Sequence, residues 1–96
     1  MNINDTLEEL LPAVEEQVFT EKELLHDLLI YNDDVNTFHW VIETLIEVCG
    51  HEPLQAEQCT YIIHHNGKCS VKQGTFDDLK PLCIQLLDRK LSAVIE

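Results

Sequence analysis

"LLIYNDDVNTFHWVIETL" (residues 28–45) changes character twice within a few positions. The apolar run Leu28, Leu29, Ile30, Tyr31 stops at Asn32, Asp33 and Asp34, and after Val35 and Asn36 the apolar residues return with a new period. Phe38, Val41, Ile42, Leu45, Ile46 and Cys49 alternate steps of three and one, which draws one apolar face on an α-helix. Asn36 is the expected N-cap and Gly50 the stop. The preceding run, Leu25 to Tyr31, has the length and composition of a strand. A strand therefore hands over to a helix through an amide and two adjacent carboxylates.

The chain downstream extends this pattern. Pro53 suits the first turn of a second helix, with Ala56, Cys59, Ile62 and Ile63 facing inward and Asn66-Gly67 ending it. Lys68 to Gln73 sets Cys69 and Val71 against polar neighbours, as in an exposed or edge strand. Thr75 and Asp78 stand as a capping pair before Leu79, Leu82, Cys83, Leu86 and Leu87, which have helical spacing. Pro81 lies inside that stripe, so either the first turn kinks or the regular helix begins at Pro81. Leu91 to Ile95 supplies a last strand. The order β-α-α-β-α-β predicts an α+β domain over residues 23–96, a three-stranded antiparallel sheet packed by three helices. Residues 1–22 are acidic and interrupted by Pro12, and are expected to form a mobile N-terminal arm.

Composition narrows the function classes. The 96 residues carry a formal charge of −12, a field that repels a phosphate backbone and excludes nucleic acid as the natural partner. An amine-bearing or cationic partner suits it better. Cys49, Cys59, Cys69 and Cys83 form no C-x-x-C pair, so reduced thiols are expected, with no metal and no cofactor. No stretch reaches the roughly 20 apolar residues that span a bilayer. The acidic N-terminal segment has no apolar signal core, so the expected compartment is the cytoplasm.

Asn32, Asp33 and Asp34 admit two readings. They are ordinary turn and capping chemistry, or they are convergent acceptors for an ammonium group. His64 and His65 are likewise either an exposed pair at a helix end or, at His64, a neutral imidazole able to accept a hydrogen bond from an amine. Thr60 and His64 share one helix face. No G-x-S-x-G, P-loop or H-E-x-x-H is present, so the chain is not expected to be an enzyme.

The two stretches "YNDDVNTFHWVIETL" and "IIHHNGKCSV" together resemble the Clp protease adaptor family, ClpS, from about residue 26 to 95. That family pairs an N-D-D segment entering the first helix with a second helix ending in apolar-His-x-x-Gly-Lys. The resemblance implies an adaptor of the bacterial N-degron pathway. Such adaptors bind proteins whose first residue is Leu, Phe, Tyr or Trp and pass them to the AAA+ unfoldase of the Clp protease, of ClpA or ClpC type. It implies that Asn32 and His64 hydrogen-bond the substrate's α-amine, and that Asp33 acts on it through water. Asp34 and Asn36 would hold the first peptide units. Phe38, Val41, Thr60, Ile63 and Leu91 would wall the pocket for the first side chain. The other reading is a ClpS-like interaction domain that contacts the unfoldase or another protein without binding amines. The family usually has Thr at the position of Asn36 and often Met at those of Phe38 and Thr60, so the pocket's shape is this chain's own.

Overall fold

The structure, a computed structural model, describes residues 24–96; the expected mobile arm, residues 1–22, lies outside the described residues. The elements follow in the order β1 (His26–Tyr31), α1 (Phe38–Cys49), α2 (Pro53–Asn66), β2 (Lys68–Gly74), α3 (Phe76–Asp88) and β3 (Ser92–Ile95). The three strands form one antiparallel sheet in the order β2-β1-β3. This is the fold expected from the alternation of strand and helix periods. β2 is an edge strand, as its polar alternation predicts.

β1 is the centre of the sheet, paired on both sides, and its side chains alternate, Leu28 and Ile30 turning inward and both almost fully buried. Val71 of β2 and Ala93 of β3 join them on the same face, and the three helices cover it with Leu45, Ala56, Ile63, Leu79 and Leu86. No helix of the described residues covers the other face, which carries the apolar pair Leu29 and Val94 beside polar residues. There Ser70 Oγ donates to Asp27 Oδ1 and the Tyr31 hydroxyl donates to Glu96.

Two corrections concern which residues the helices bury. On α1 the deepest positions are Val41, Thr44, Leu45, Val48 and Cys49, while Phe38 stands at the surface. On α2 the expected inward residue Ile62 is 41% exposed and Thr60 is buried in its place. The buried residues of α2 are Ala56, Thr60 and Ile63, a stripe spaced four and three apart. A third correction concerns capping. Thr37, not Asn36, caps α1, its Oγ1 accepting from the Trp40 amide, and Asn36 is released for other work. The thiols are free, with Cys49 buried and the other three half-buried.

The β1–β2 register slips between Leu28 and Leu29, which leaves Val71 as the extra residue of a bulge. The buried His51 ring takes up the carbonyl of that residue, Nε2 to Val71 O at 2.7 Å. His51 is thus a structural histidine that joins the α1–α2 connection to β2.

Pro81 lies in the interior of α3, which runs unbroken from Phe76 with Thr75 as its cap. The helix neither restarts at Pro81 nor ends before it, although the proline removes the amide that would bond the Asp77 carbonyl. Pro81 is exposed and Leu79 and Leu86 are anchored in the core, so packing holds the helix against its poor propensity. Pro81→Ala is expected to stabilise the fold by about 1 kcal/mol, the gain in helix propensity outweighing the added freedom of the unfolded chain. An unchanged or lower midpoint in urea would show that α3 uses the proline.

Candidate functional site

β1 ends where Asn32 is tied across to the α2–β2 turn, its amide donating to Gly67 O at 2.8 Å. Gly67 has φ 91°, a backbone region that costs a glycine little, and it lets α2 turn sharply into β2. This bond sets the loop 32–36 beside the last turn of α2. The loop, the start of α1 and the end of α2 then enclose a cavity of about 290 Å³. Asn32, Asp33, Asp34, Asn36, Phe38, Val41, Thr60, Ile63 and His64 line it. Nine of the candidate residues are therefore brought together. Leu91 is not among them: it is buried below, in a small adjoining recess that Val41 and Ile63 also line.

Asp33 organises the loop. Its Oδ1 accepts from the amides of Val35 (2.9 Å) and Asn36 (2.8 Å), and its Oδ2 from Asn36 Nδ2 (2.8 Å) and Ser92 Oγ (3.4 Å). Burial pushes this carboxyl up, but the hydrogen bonds from Asn36, Val35 and Ser92 outweigh it and hold Asp33 below the usual carboxylate range. The charge is retained and used largely inside the protein.

Asn36 is the second organiser. Its amide nitrogen donates both to Asp33 and to the Lys90 carbonyl, each at 2.8 Å, so both of its side-chain hydrogens are engaged. Only its oxygen remains to accept a bond from a ligand. Asn32, Asp34 and His64 differ from these two. All three are exposed, and among the described residues none of their side chains makes a hydrogen bond within the protein.

The floor is apolar. Val41 and Ile63 are buried, and the buried Thr60 hydroxyl donates to Ala56 O at 2.7 Å, so it asks for no partner from a guest. Phe38 stands at the entrance, packed edge-on against Tyr61 with ring centroids 4.9 Å apart and against His64 at 6.4 Å. Tyr61 in turn stacks on His65. Tyr61 and His65 support this wall, and their spacing of four on α2 was the one sequence signal available for them. The chemical capacity is thus an apolar socket with uncommitted acceptors and carboxylates at one lip. Such a lip suits a positively charged donor. No lysine or arginine lines the cavity.

Little else competes as a site. Among the described residues no group of three or more His, Cys, Asp or Glu is disposed to hold a metal ion. Burial pushes the Cys49 thiol, and the Cys69 thiol beside Cys59, up to about 11, so neither is a ready nucleophile. No helix of the described residues is long and apolar enough to cross a membrane.

Comparison with known proteins gives three concordant findings. A family model described as ATP-dependent Clp protease adaptor protein ClpS matches residues 21–93. The ATP-dependent Clp protease adapter protein ClpS of Clostridium acetobutylicum is 38% identical over 47 residues, 49% of this chain and 46% of that protein. The matched stretch thus spans about half the length of that relative. Among solved structures, Agrobacterium tumefaciens ClpS2 bound to L-phenylalaninamide superposes with a TM-score of 0.72 at 17% identity, covering 78% of this chain and 96% of that one. At that identity the likeness speaks for the fold.

Proposed function

Since the chain belongs to the ClpS family of Clp protease adaptor proteins, we propose that its cavity binds the free N-terminal residue of a substrate protein. The family is one of adaptors, not of catalysts. In this reading the first side chain, a bulky Leu, Phe, Tyr or Trp, enters between Phe38, Val41, Thr60 and Ile63. Asn32 and His64 accept from the α-ammonium, and Asp34 supplies charge beside it. The oxygen of Asn36 accepts from the peptide as it leaves. Asp33 contributes its field and holds the loop in shape. The adaptor then delivers its cargo to the AAA+ unfoldase of the Clp protease, of ClpA or ClpC type.

The observation that carries the reading is the state of Asn32, Asp34 and His64. Residues far apart in sequence converge on one lip with their side chains uncommitted, above an apolar floor. An ammonium offers three donors and one charge, which is the complement of that lip. L-phenylalaninamide, the ligand of the Agrobacterium protein, has the same free amine and aromatic side chain.

Calorimetric titration with a peptide beginning in Phe, against its N-acetylated copy, tests the proposal. The free peptide is expected to bind and the acetylated one to be weaker by at least about a hundredfold, since acetylation removes the charge and two of the donors at once. Equal binding, or none by either, would leave only an interaction domain that ignores amines.

Phe38 is expected to set the choice of first residue. Phe38→Ala opens the entrance where a β-branched side chain would meet the ring, so peptides beginning with Val or Ile should gain relative to Leu and Phe. Loss of the edge-on pair with Tyr61 costs about 1 kcal/mol of stability. An unchanged ranking of Leu, Phe, Val and Ile peptides by the folded variant would remove Phe38 from the specificity wall.

A further inference from the structure

A second and shallower groove, of about 390 Å³, runs beside the cavity between Val35, Asn36, Thr37, Trp40, Arg89 and Lys90. Asn36 lines both. Val35 is 83% exposed at the edge of the groove. Trp40 is fixed at two points, its amide donating to Thr37 Oγ1 and its indole Nε1 to the Arg89 carbonyl, each at 3.1 Å. The indole bond sets the ring as an apolar part of the groove's lining.

Two of the six basic residues of this protein, whose formal charge is −12, also line the groove. Arg89 is engaged by Glu47. Lys90 is exposed, and among the described residues it makes no ion pair. Its backbone has φ 70°, a left-handed conformation unusual for lysine, and its carbonyl is held there by Asn36 Nδ2 at 2.8 Å. The amide that lines the cavity thus also fixes where the Lys90 ammonium starts. A groove lined by an indole and by a lysine that has no ion pair among the described residues fits a side chain with a short apolar stem and a carboxylate at its tip.

We propose that this groove is a second specificity subsite, and that it takes a glutamate at the third residue of the bound substrate. The inference rests on the reading of the cavity given above. In an extended peptide, side chains two residues apart share one face, at a separation of roughly 7 Å. With the first side chain in the cavity, the second points to solvent and the third returns to the surface. Asn36 stands between the two sites, where its free oxygen can accept from the connecting backbone.

The test uses four free-amine, C-terminally amidated peptides: Phe-Ala-Glu-Ala, Phe-Ala-Lys-Ala, Phe-Glu-Ala-Ala and Phe-Ala-Ala-Ala. Each is titrated in about 0.15 M salt, where charges beyond roughly 8 Å are screened and the overall field of the protein counts little. Affinity is read by calorimetry, and occupancy of the groove by emission of Trp40, the chain's one tryptophan. The third-position Glu peptide is expected to bind roughly three- to fivefold more tightly than the Lys peptide, the scale of an exposed charge pair. It should also change the Trp40 emission more than the all-Ala peptide does. In Lys90→Asn, which removes the charge and tolerates a left-handed backbone, the Glu-to-Lys affinity ratio should fall to about one. The inference is overturned by a ratio near one in the wild type, by a preference for Glu at the second position instead, or by a ratio that survives Lys90→Asn. An emission change that does not depend on the third residue would also overturn it. Failure of every peptide to bind would sink the cavity reading, and this one with it.

Discussion

The double variant Asn32→Ala/His64→Ala is expected to lose roughly a hundredfold in affinity for a Phe-initiated peptide, close to 3 kcal/mol, with little change in melting temperature. In the proposed complex each residue would supply one acceptor to a charged donor, at a lip from which the seated peptide would displace water. Neither side chain has another bond in the described protein, so neither is expected to matter to the fold. Asn32 is positioned by its own backbone amide, bonded to Gly67, and an alanine keeps that bond. The single variants should each lose about tenfold. They would fall short of additivity if the ammonium can turn toward the remaining acceptor. Normal binding by the double variant would remove the amine from this lip. A parallel fall in melting temperature would show that the side chains serve the structure.

Asp33 is expected to behave in the opposite way. Asp33→Ala should cost about 2 kcal/mol of stability, since a charged acceptor serving the Val35 and Asn36 amides and the Asn36 side chain is removed at once. Binding should fall as well, because Asn36 and the loop lose their shape. The pH dependence follows from the direction of the shift. The folded carboxyl titrates below its unfolded value, so its stabilisation is complete above the unfolded pKa of roughly 3.9. That stabilisation disappears as pH falls through the lower folded value. The difference between wild type and variant, measured by urea unfolding, should thus hold constant from pH 7 to about 5 and close only in strongly acidic solution. A variant as stable as wild type at pH 7 would return Asp33 to a purely ligand-directed role.

This division of labour among three neighbouring residues bears on how such a loop works. One carboxylate, Asp33, is used to hold the loop rigid, and the loop then presents Asn32 and Asp34 without partners. A binding lip gains affinity when its acceptors are already in place and need no ordering on contact. Asn36 extends the same logic across the fold. By bonding the Lys90 carbonyl it ties the loop after β1 to the turn before β3, and so links the cavity to the neighbouring groove.

Sequence alone determined a good deal. The change from a strand run to the helical period at residues 28–45, with the same alternation repeated downstream, is a local property of apolar spacing. It led to the order of strands and helices and to the edge position of β2. The paired stretches around Asn32 and His64 pointed to the family and to nine residues that line one cavity. Tertiary structure alone decided the rest. Whether Thr37 or Asn36 caps α1 depends on a competing partner, the Lys90 carbonyl 54 residues away, which no local pattern contains. Burial of Thr60 instead of Ile62 depends on how far α2 is rotated against α1, and a stripe with a polar member does not specify that angle. Leu91 lines a recess beside the cavity rather than the cavity itself, a placement set by how the chain before β3 packs against α1 and α2. The role of Asp33 was hidden for the same kind of reason. A carboxylate reads alike in sequence whether it faces a ligand or its own backbone, and only the folded path of the chain fixes which donors reach it first.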